Sequence, residues 1–322
     1  MNIIIVGFGN IGKHYLEILK NFKDIKKIFI IDKIKIKFLP KNCIQLDEKS
    51  LKNSINDIHY AIICSPTGLH YKHASYFLKN KIPTLIEKPL TITTDEATKL
   101  INLKKEKKVK CWVAFQNRHN LAVNKSREIL KKKKFGKPFF VDSALFWQRS
   151  KEYYKSSNWR GKYSTDGGVL FNQAVHLLDA LVYNFGPVTK FNAFAGFNKK
   201  KLQAEDLITI NFIHKNNIIS NLKATTRANN DYRMSMDVLC ENGRFLIKDI
   251  SLNKIFYFKK DSIKEDKKNS ENFTKGLGPK SGMGNGHKKI LKEFLNPKIF
   301  KSSKNLDIEK NIYIVKLVNS IY

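Results

Sequence analysis

Three side chains that can bind, orient or accept a proton stand close together in TDGGVLFNQAVHLLDAL, residues 165–181: Asn172, His176 and Asp179. A helix turns about 100° per residue, so on an unbroken helix they fall within roughly 60° of one another. Phe171, Ala174, Val175, Leu177, Leu178 and Leu181 fill the other faces. One reading is a catalytic stripe in which the imidazole, with an ordinary pKa near 6.5, accepts a proton. The other is a buried helix whose histidine is satisfied by a carboxylate. Both stand at this point.

A second constellation opens the chain. Gly7, Gly9 and Gly12 in GFGNIG follow an apolar run and precede a helical pattern. In that setting GxGxxG is a dinucleotide fingerprint: Gly7 for the tight turn, Gly9 for close approach of a pyrophosphate, Gly12 for helix–strand packing. Asn10 and Ile11 begin the helix, whose free amides and dipole favour phosphate. Asp32 lies 20 residues beyond Gly12. A carboxylate there accepts hydrogen bonds from the adenosine ribose hydroxyls and repels a 2′-phosphate. NAD is therefore expected over NADP, with Lys33 leaving some room for the latter.

Two further strand ends carry polar residues. Ser65, Pro66 and Thr67 end HYAIICS, with His70 and His73 following, and Glu87, Lys88 and Pro89 end PTLIEKP. Open α/β sheets bind ligands at this edge. The two histidines are expected on a helix surface or a cofactor wall. No carboxylate or cysteine cluster completes a metal shell around them, so no metal site is expected. In so basic a chain Lys88 could be a surface lysine; its place level with the glycine loop argues for a role in the site.

The elements that must position these residues fall into two groups. Up to about residue 117, strands 3–7, 27–32, 59–65, 83–89 and 109–116 alternate with helical segments, which predicts a parallel sheet of doubly wound Rossmann type. Residues 118–322 are expected to form an α+β domain with a large, mostly antiparallel sheet. Its strands run over 139–147, 188–196, 206–214, 217–226, 235–240 and 243–249, joined by short turns such as ENG. Residues 259–285 read as a long mobile loop, and helices near 287–295 and 306–321 finish the chain.

Composition narrows the function classes. The chain of 322 residues is 42% hydrophobic and carries a formal net charge of +32. Its lysines are spread along the whole length instead of forming a patch, and no nucleic-acid motif appears, so no nucleic acid is expected as partner. The general positive field favours an anionic small molecule. No uncharged stretch approaches the roughly 20 residues that span a bilayer. MNIIIVGFG has no basic region of a secretory leader, and Cys43, Cys64, Cys111 and Cys240 have no paired spacing. A reduced, cytoplasmic protein without membrane attachment is the expectation.

Taken in order, GFGNIG, Asp32, SPTGLHYKHA, IEKPL and GGVLFNQAVHLLD resemble the glucose–fructose oxidoreductase/inositol dehydrogenase (Gfo/Idh/MocA) family across essentially the whole chain. Within it, NRHNLAVN (117–124), FWQRSKEYYKSSNWRGKYSTDGG (146–168) and NQAVH are similar to enzymes that oxidise C3 of UDP-linked N-acetylamino sugars and their uronic acids. The resemblance implies Lys88 and His176 as catalytic residues, with the lysine beside the nicotinamide ribose and the histidine as proton acceptor. The two are expected to meet over one nicotinamide ring. Asn172 stands where the inositol-dehydrogenase branch has an aspartate; a neutral amide cannot be a base, so it is left to orient substrate with Gln173. Asp179 is better placed to hold the helix than to react. Trp159, Arg160 and Arg118 are candidates for the anionic groups of cofactor or substrate, although either arginine could instead pair with a structural carboxylate. Free-sugar or inositol dehydrogenation, and a non-catalytic NAD- or nucleic-acid-binding role, are the alternatives. The family also implies a homo-oligomer, dimer or tetramer, paired through the antiparallel sheet.

Overall fold

Short Ile- and Val-rich runs, apolar on both faces, form the first sheet of the computed structural model, which describes residues 1–197, 202–259, 262–272, 285–296 and 304–322. Its strands are β1 (Asn2–Val6), β2 (Lys27–Ile31), β3 (Cys43–Gln45), β4 (Tyr60–Ile63), β5 (Thr84–Glu87) and β6 (Cys111–Ala114), in the order β3-β2-β1-β4-β5-β6. Every pairing is parallel. Ile3, Ile4, Ile5, Ile62, Ile63, Leu85 and Ile86 are inaccessible to solvent, as strands covered on both faces require. The covering helices are α1 (Asn10–Leu19), α2 (Glu48–Ser54), α3 (His70–Lys79) and α4 (Thr94–Lys107). Local chemistry sets the ends of α4: the Thr93 hydroxyl accepts the Glu96 N–H at 3.2 Å, and Lys108 leaves the helix at φ 52°.

The chain divides into two units, Met1–Ala114 with Ile290–Asn319, and Phe115–Lys289 with Ser320–Tyr322. Residues 290–319 thus count with the parallel sheet, whereas the sequence grouped everything from 118 onward. Their side chains give the reason. Phe294 packs against Tyr60 and Trp112, with ring centroids 5.4 and 5.6 Å apart. Lys104 Nζ donates to Asp307 at 2.7 Å, and the Thr94 N–H donates to Asn319 Oδ1 at 2.7 Å.

In the second unit α5 (Leu121–Lys131), β7 (Pro138–Phe146), α6 (Lys151–Lys155), α7 (Gly168–Asn172) and α8 (Val175–Phe185) precede a run of strands. These are β8 (Val188–Gly196), β9 (Leu207–His214), β10 (Ile219–Thr225), β11 (Arg233–Cys240), β12 (Gly243–Lys248), β13 (Lys254–Lys259) and β14 (Ser262–Glu265); α9 (Gly286–Phe294) and α10 (Ile308–Ile321) follow. The eight-stranded sheet has the order β14-β13-β12-β11-β7-β10-β9-β8 and is antiparallel except for β7 against β10. Burial alternates residue by residue along β9, the mark of a sheet with one covered face. Leu177, Leu178 and Leu181 of α8 are completely buried, each contributing about 1.5–3 kcal/mol.

Two expectations are corrected. Part of the predicted loop 259–285 is strand: β14 pairs with β13 at the sheet edge, and its mixed charges reflect an exposed edge. Residues 260–261 and 273–284 of that prediction lie outside the described residues. The single helix expected within residues 165–181 is broken. The Ala174 N–H reaches back five residues to the Val169 carbonyl at 2.8 Å, where an α-helix reaches four. That wider turn separates α7, which carries Asn172, from α8, which carries His176 and Asp179.

Candidate active site

At the carboxyl edge of the first sheet, β1, β4 and β5 end together. Val6 pairs with Ile63, and Ile63 with Ile86, so Gly7, Cys64 and Glu87 share one row and Lys88 stands one residue beyond it. Gly7 has φ +93°, and a Cβ there would lie 2.7 Å from the Cys64 and Ser65 backbone. A Cβ on Gly12 would meet the Gly7 carbonyl oxygen at 2.1 Å, so α1 can close onto the loop only with glycine. Gly9 differs: among the described residues nothing comes within 4 Å of where its Cβ would be. It precedes α1 as the residue whose backbone a phosphate could approach, with Asn10 exposed and Ile11 half-buried behind it. These are the features that a dinucleotide pyrophosphate requires.

Asp32, just past β2, is held by main chain. Its Oδ2 accepts the Phe8 N–H at 2.6 Å and its Oδ1 the Ile34 N–H at 2.9 Å. The carboxylate is therefore tied to the glycine loop itself, and each oxygen keeps a lone pair for a ribose hydroxyl.

The next two loops are tied to one another by a histidine. His70 is 1% exposed, and its Nδ1 lies 2.9 Å from the Pro89 carbonyl while Nε2 lies 2.8 Å from the Ser65 carbonyl. The surface reading does not hold for His70: its ring is a buried bracket between the Ser65–Pro66 loop and the Lys88–Pro89 loop. Burial pushes its pKa down. His73 approaches the Ser65 hydroxyl at 2.9 Å, and burial lowers it to about 4. Glu87 is buried; it accepts the Tyr15 hydroxyl from α1 at 2.7 Å and the Lys88 N–H at 3.2 Å. Lys88 itself is half-buried, and its peptide bond to Pro89 is cis. Tyr15 was not foreseen; its place eight residues after Gly7 on an otherwise apolar helix face was the available sign.

In the second unit the predicted residues meet different partners. Arg118 pairs with Asp179: Nε donates to Oδ2 at 2.9 Å and NH2 donates to Oδ1. The guanidinium also lies 4.9 Å from the ring centroids of Phe115 and Tyr183. This is the structural-carboxylate alternative left open for it, and it gives Asp179 the holding role expected. Burial raises the Asp179 carboxyl against the pull of Arg118. Asn172 donates through Nδ2 to Asp166, whose other oxygen accepts the Gly161 N–H at 2.7 Å. His176 and Gln173 are 8% and 5% exposed. Arg160 stacks on Tyr153 at 3.9 Å and approaches Trp159 at 5.0 Å. Its Nε is buried and makes no hydrogen bond among the described residues. Asp166 was missed, although it stands beside the Gly167–Gly168 pair. Among the described residues no cluster of His, Cys, Asp and Glu has the makings of a metal site.

Residues 1–115 match the family described as "Oxidoreductase family, NAD-binding Rossmann fold", and residues 123–246 match the GFO/IDH/MocA C-terminal domain. The scyllo-inositol 2-dehydrogenase (NADP(+)) IolW of Bacillus subtilis is 26% identical over 169 residues, 51% of this chain and 44% of that protein. The match therefore spans less than half of that relative. Among solved structures, the WlbA dehydrogenase from Bordetella pertussis in complex with NADH and UDP-GlcNAcA is 21% identical with a TM-score of 0.82, over 99% of this chain and 94% of its own. Levoglucosan dehydrogenase in complex with NADH and levoglucosan is 19% identical with a TM-score of 0.79, over 100% of this chain and 96% of its own. At these identities the solved structures speak for the fold. The two matched domains, in this order and around this glycine loop, make the chain a member of the Gfo/Idh/MocA oxidoreductase family, with the family's NAD-binding Rossmann domain at residues 1–115.

Proposed function

We propose that this protein is an NAD-dependent dehydrogenase that moves a hydride between a sugar hydroxyl carbon and nicotinamide. Its proposed substrate is a UDP-N-acetylhexosamine or the corresponding uronic acid, oxidised at C3 in cell-surface polysaccharide biosynthesis. The observation that carries the reading is the row at the carboxyl edge of the first sheet, where Asp32 is tied to the glycine loop through the Phe8 amide, Glu87 ties α1 to the Lys88 loop, and His70 ties that loop to Ser65. The nucleotide-sugar part takes its support from the likeness to WlbA and from the 146–168 motif.

Bound NAD supplies the hydride acceptor. Gly7, Gly9, Asn10, Ile11 and Gly12 hold its pyrophosphate, Asp32 its adenosine ribose, and Ser65, Pro66 and Glu87 line the loops toward its nicotinamide end. Lys88, as an ammonium, stabilises charge developing on the substrate oxygen, worth a few kcal/mol in a dry site. His176 accepts the hydroxyl proton on a ring nitrogen. Asn172 and Gln173 orient the sugar; Trp159 and Arg160 meet an anionic group, for which the buried Arg160 Nε is suited. Reduction of a keto sugar would use the same groups in reverse.

Homo-oligomer formation through the second sheet draws support from its outer face. There Phe194, Leu207, Ile213 and Ile219 are 67%, 40%, 38% and 48% exposed, an apolar surface suited to a second copy. A cytoplasmic setting suits four cysteines that are all free and buried. The second reading, a free sugar or inositol as substrate, is favoured by the match to IolW. Purified protein mixed with NAD and a panel of UDP-sugars, free sugars and inositols tests both through NADH absorbance. Turnover of UDP-N-acetylhexosamine derivatives is the expected result; turnover of free polyols alone would replace the first reading with the second.

A further inference from the structure

Glu205 has no task in the reaction proposed above, yet it is a closely enclosed acid of the second unit. It is 2% exposed, in a chain with 28 acidic residues against 60 lysines and arginines. Its main-chain carbonyl accepts the Val169 N–H at 2.9 Å, and its side-chain Oε1 accepts the Leu170 N–H at 2.9 Å. One residue thus takes up two successive amides that open α7, groups a helix start leaves without internal partners. The Tyr322 hydroxyl donates to the same Oε1 and lies 3.1 Å from the Gly167 carbonyl oxygen. Its ring stacks on Phe171 at 6.4 Å and meets Tyr163 edge-on at 4.9 Å. Gly168 makes room for the carboxyl: it has φ +77°, and a Cβ there would lie 1.8 Å from Oε2.

Stability alone gives no reason for this arrangement. Burying a carboxyl costs desolvation free energy, and an apolar residue of like volume would fill the space without that cost. What the arrangement fixes is direction. α7 runs five residues from Gly168 and ends at Asn172, whose amide is held by Asp166. Glu205 therefore sets one end of a short segment and Asp166 the other.

We propose that Glu205, bridged to Tyr322, is a positioning residue that sets the entry of α7 and through it the orientation of Asn172 toward the sugar. The task given to Asn172 rests on the dehydrogenase reading; the clamp itself lies wholly within the second unit. The substrate side of the reaction then depends on the state of this carboxyl, and dinucleotide binding does not. The titratable groups that act on Glu205 are Asp166 and Tyr322, with Tyr163 beside Tyr322. Burial pushes the Glu205 carboxyl up to about 7, Asp166 adds to the rise, and the Leu170 N–H and Tyr322 hydroxyl oppose it. The enclosed carboxyl has a pKa above its ordinary value, so the clamp holds the protonated form better and loosens as the pH passes upward through neutrality.

Amide hydrogen exchange across residues 166–176, corrected for intrinsic rate, tests this from about pH 6 to about pH 8. Wild type is compared with Glu205→Ala, Glu205→Gln and Tyr322→Phe, alongside KM and kcat for the sugar and Kd for NADH. The expected result is about tenfold faster exchange in this segment for Glu205→Ala, a similar rise in the sugar KM, and an unchanged NADH Kd. Glu205→Gln, which keeps an acceptor for Leu170, should recover most of the protection but lose its pH dependence. Tyr322→Phe should fall between wild type and the alanine variant, and it serves where Glu205→Ala does not fold. Unchanged exchange in both Glu205→Ala and Tyr322→Phe, or a glutamine variant as loose as the alanine one, would overturn the proposal. A wild type that turns over no sugar would remove the dehydrogenase reading, and exchange would still decide the clamp.

Discussion

In the first unit, main-chain groups engage the side chains around the glycine loop. Asp32 is held by the Phe8 and Ile34 amides, His70 by the Ser65 and Pro89 carbonyls, and Glu87 accepts the Lys88 amide. In the second unit, pairs of side chains take a larger part: Arg118 with Asp179, Asn172 with Asp166, Tyr322 with Glu205, the last two acids also accepting the Gly161 and Leu170 amides. The first arrangement follows the path of the backbone at the sheet edge that carries it. The second depends on pairs of side chains, any one of which a single substitution removes. A site for a shared cofactor suits the former, and a site for a substrate that varies among relatives suits the latter.

The largest expected effect separates the two units by function. Lys88→Ala and His176→Ala should each lower kcat by about 10³-fold, the range for loss of an electrostatic stabiliser or a proton acceptor. NADH affinity, read from nicotinamide fluorescence, should be retained in His176→Ala. An equal loss of NADH binding in that variant would erase the division of labour drawn here. Next comes stability. Arg118→Ala leaves a buried, uncompensated Asp179 and should cost about 3–5 kcal/mol in urea unfolding. Arg118→Met combined with Asp179→Leu should recover most of that, since both charges leave together. If the single variant is as stable as wild type, the side-chain pairs of the second unit are not what holds it.

A smaller effect sharpens the main-chain side of the comparison. If Asp32 accepts from the ribose as proposed, Asp32→Ala should weaken NADH binding about tenfold, with NADPH affected less. Loss of the acceptor should also free the Phe8 and Ile34 amides to exchange. Equal losses for both dinucleotides would show that Asp32 only braces the loop.

The same contrast explains what could be read from the sequence. GFGNIG, Asp32 and the EKP lysine were visible because each is defined by a few neighbours along one strand end, and backbone geometry does the rest. The parallel sheet was visible in continuous apolar strands alternating with helices, and the mostly antiparallel one in longer β-rich runs joined by short turns. The break between α7 and α8 was hidden, because a turn one residue wider is lined by the same apolar types as a regular helix. Glu205 and Tyr322 stand 117 positions apart, and only the folded chain brings them together. A faint sign existed: Glu205-Asp206, two adjacent acids before an apolar strand, in a chain poor in acids. The return of residues 290–319 to the first unit was hidden for a related reason, since an apolar helix face does not say which sheet it covers.

The smallest effect sets the two units against each other in pH. Glu205 has a folded pKa near 7, above the ordinary carboxyl value, so its stabilising contribution is complete below about 4.5 and is lost as pH rises through 7. His73 has a folded pKa near 4, below the ordinary 6.5, so its contribution is present above about 6.5 and is lost as pH falls through 4. Between about pH 4.5 and 6.5, raising the pH therefore weakens the second unit and strengthens the first. Each slope is bounded by one proton, about 1.4 kcal/mol per pH unit, and the exposed part of His73 reduces its share. Urea unfolding of wild type should be nearly flat across this window. Glu205→Gln should make stability rise with pH there, and His73→Gln should make it fall. Two variants that shift stability in the same direction would mean that one of these groups meets water in the folded state, and the two units would lose their opposite dependence on pH.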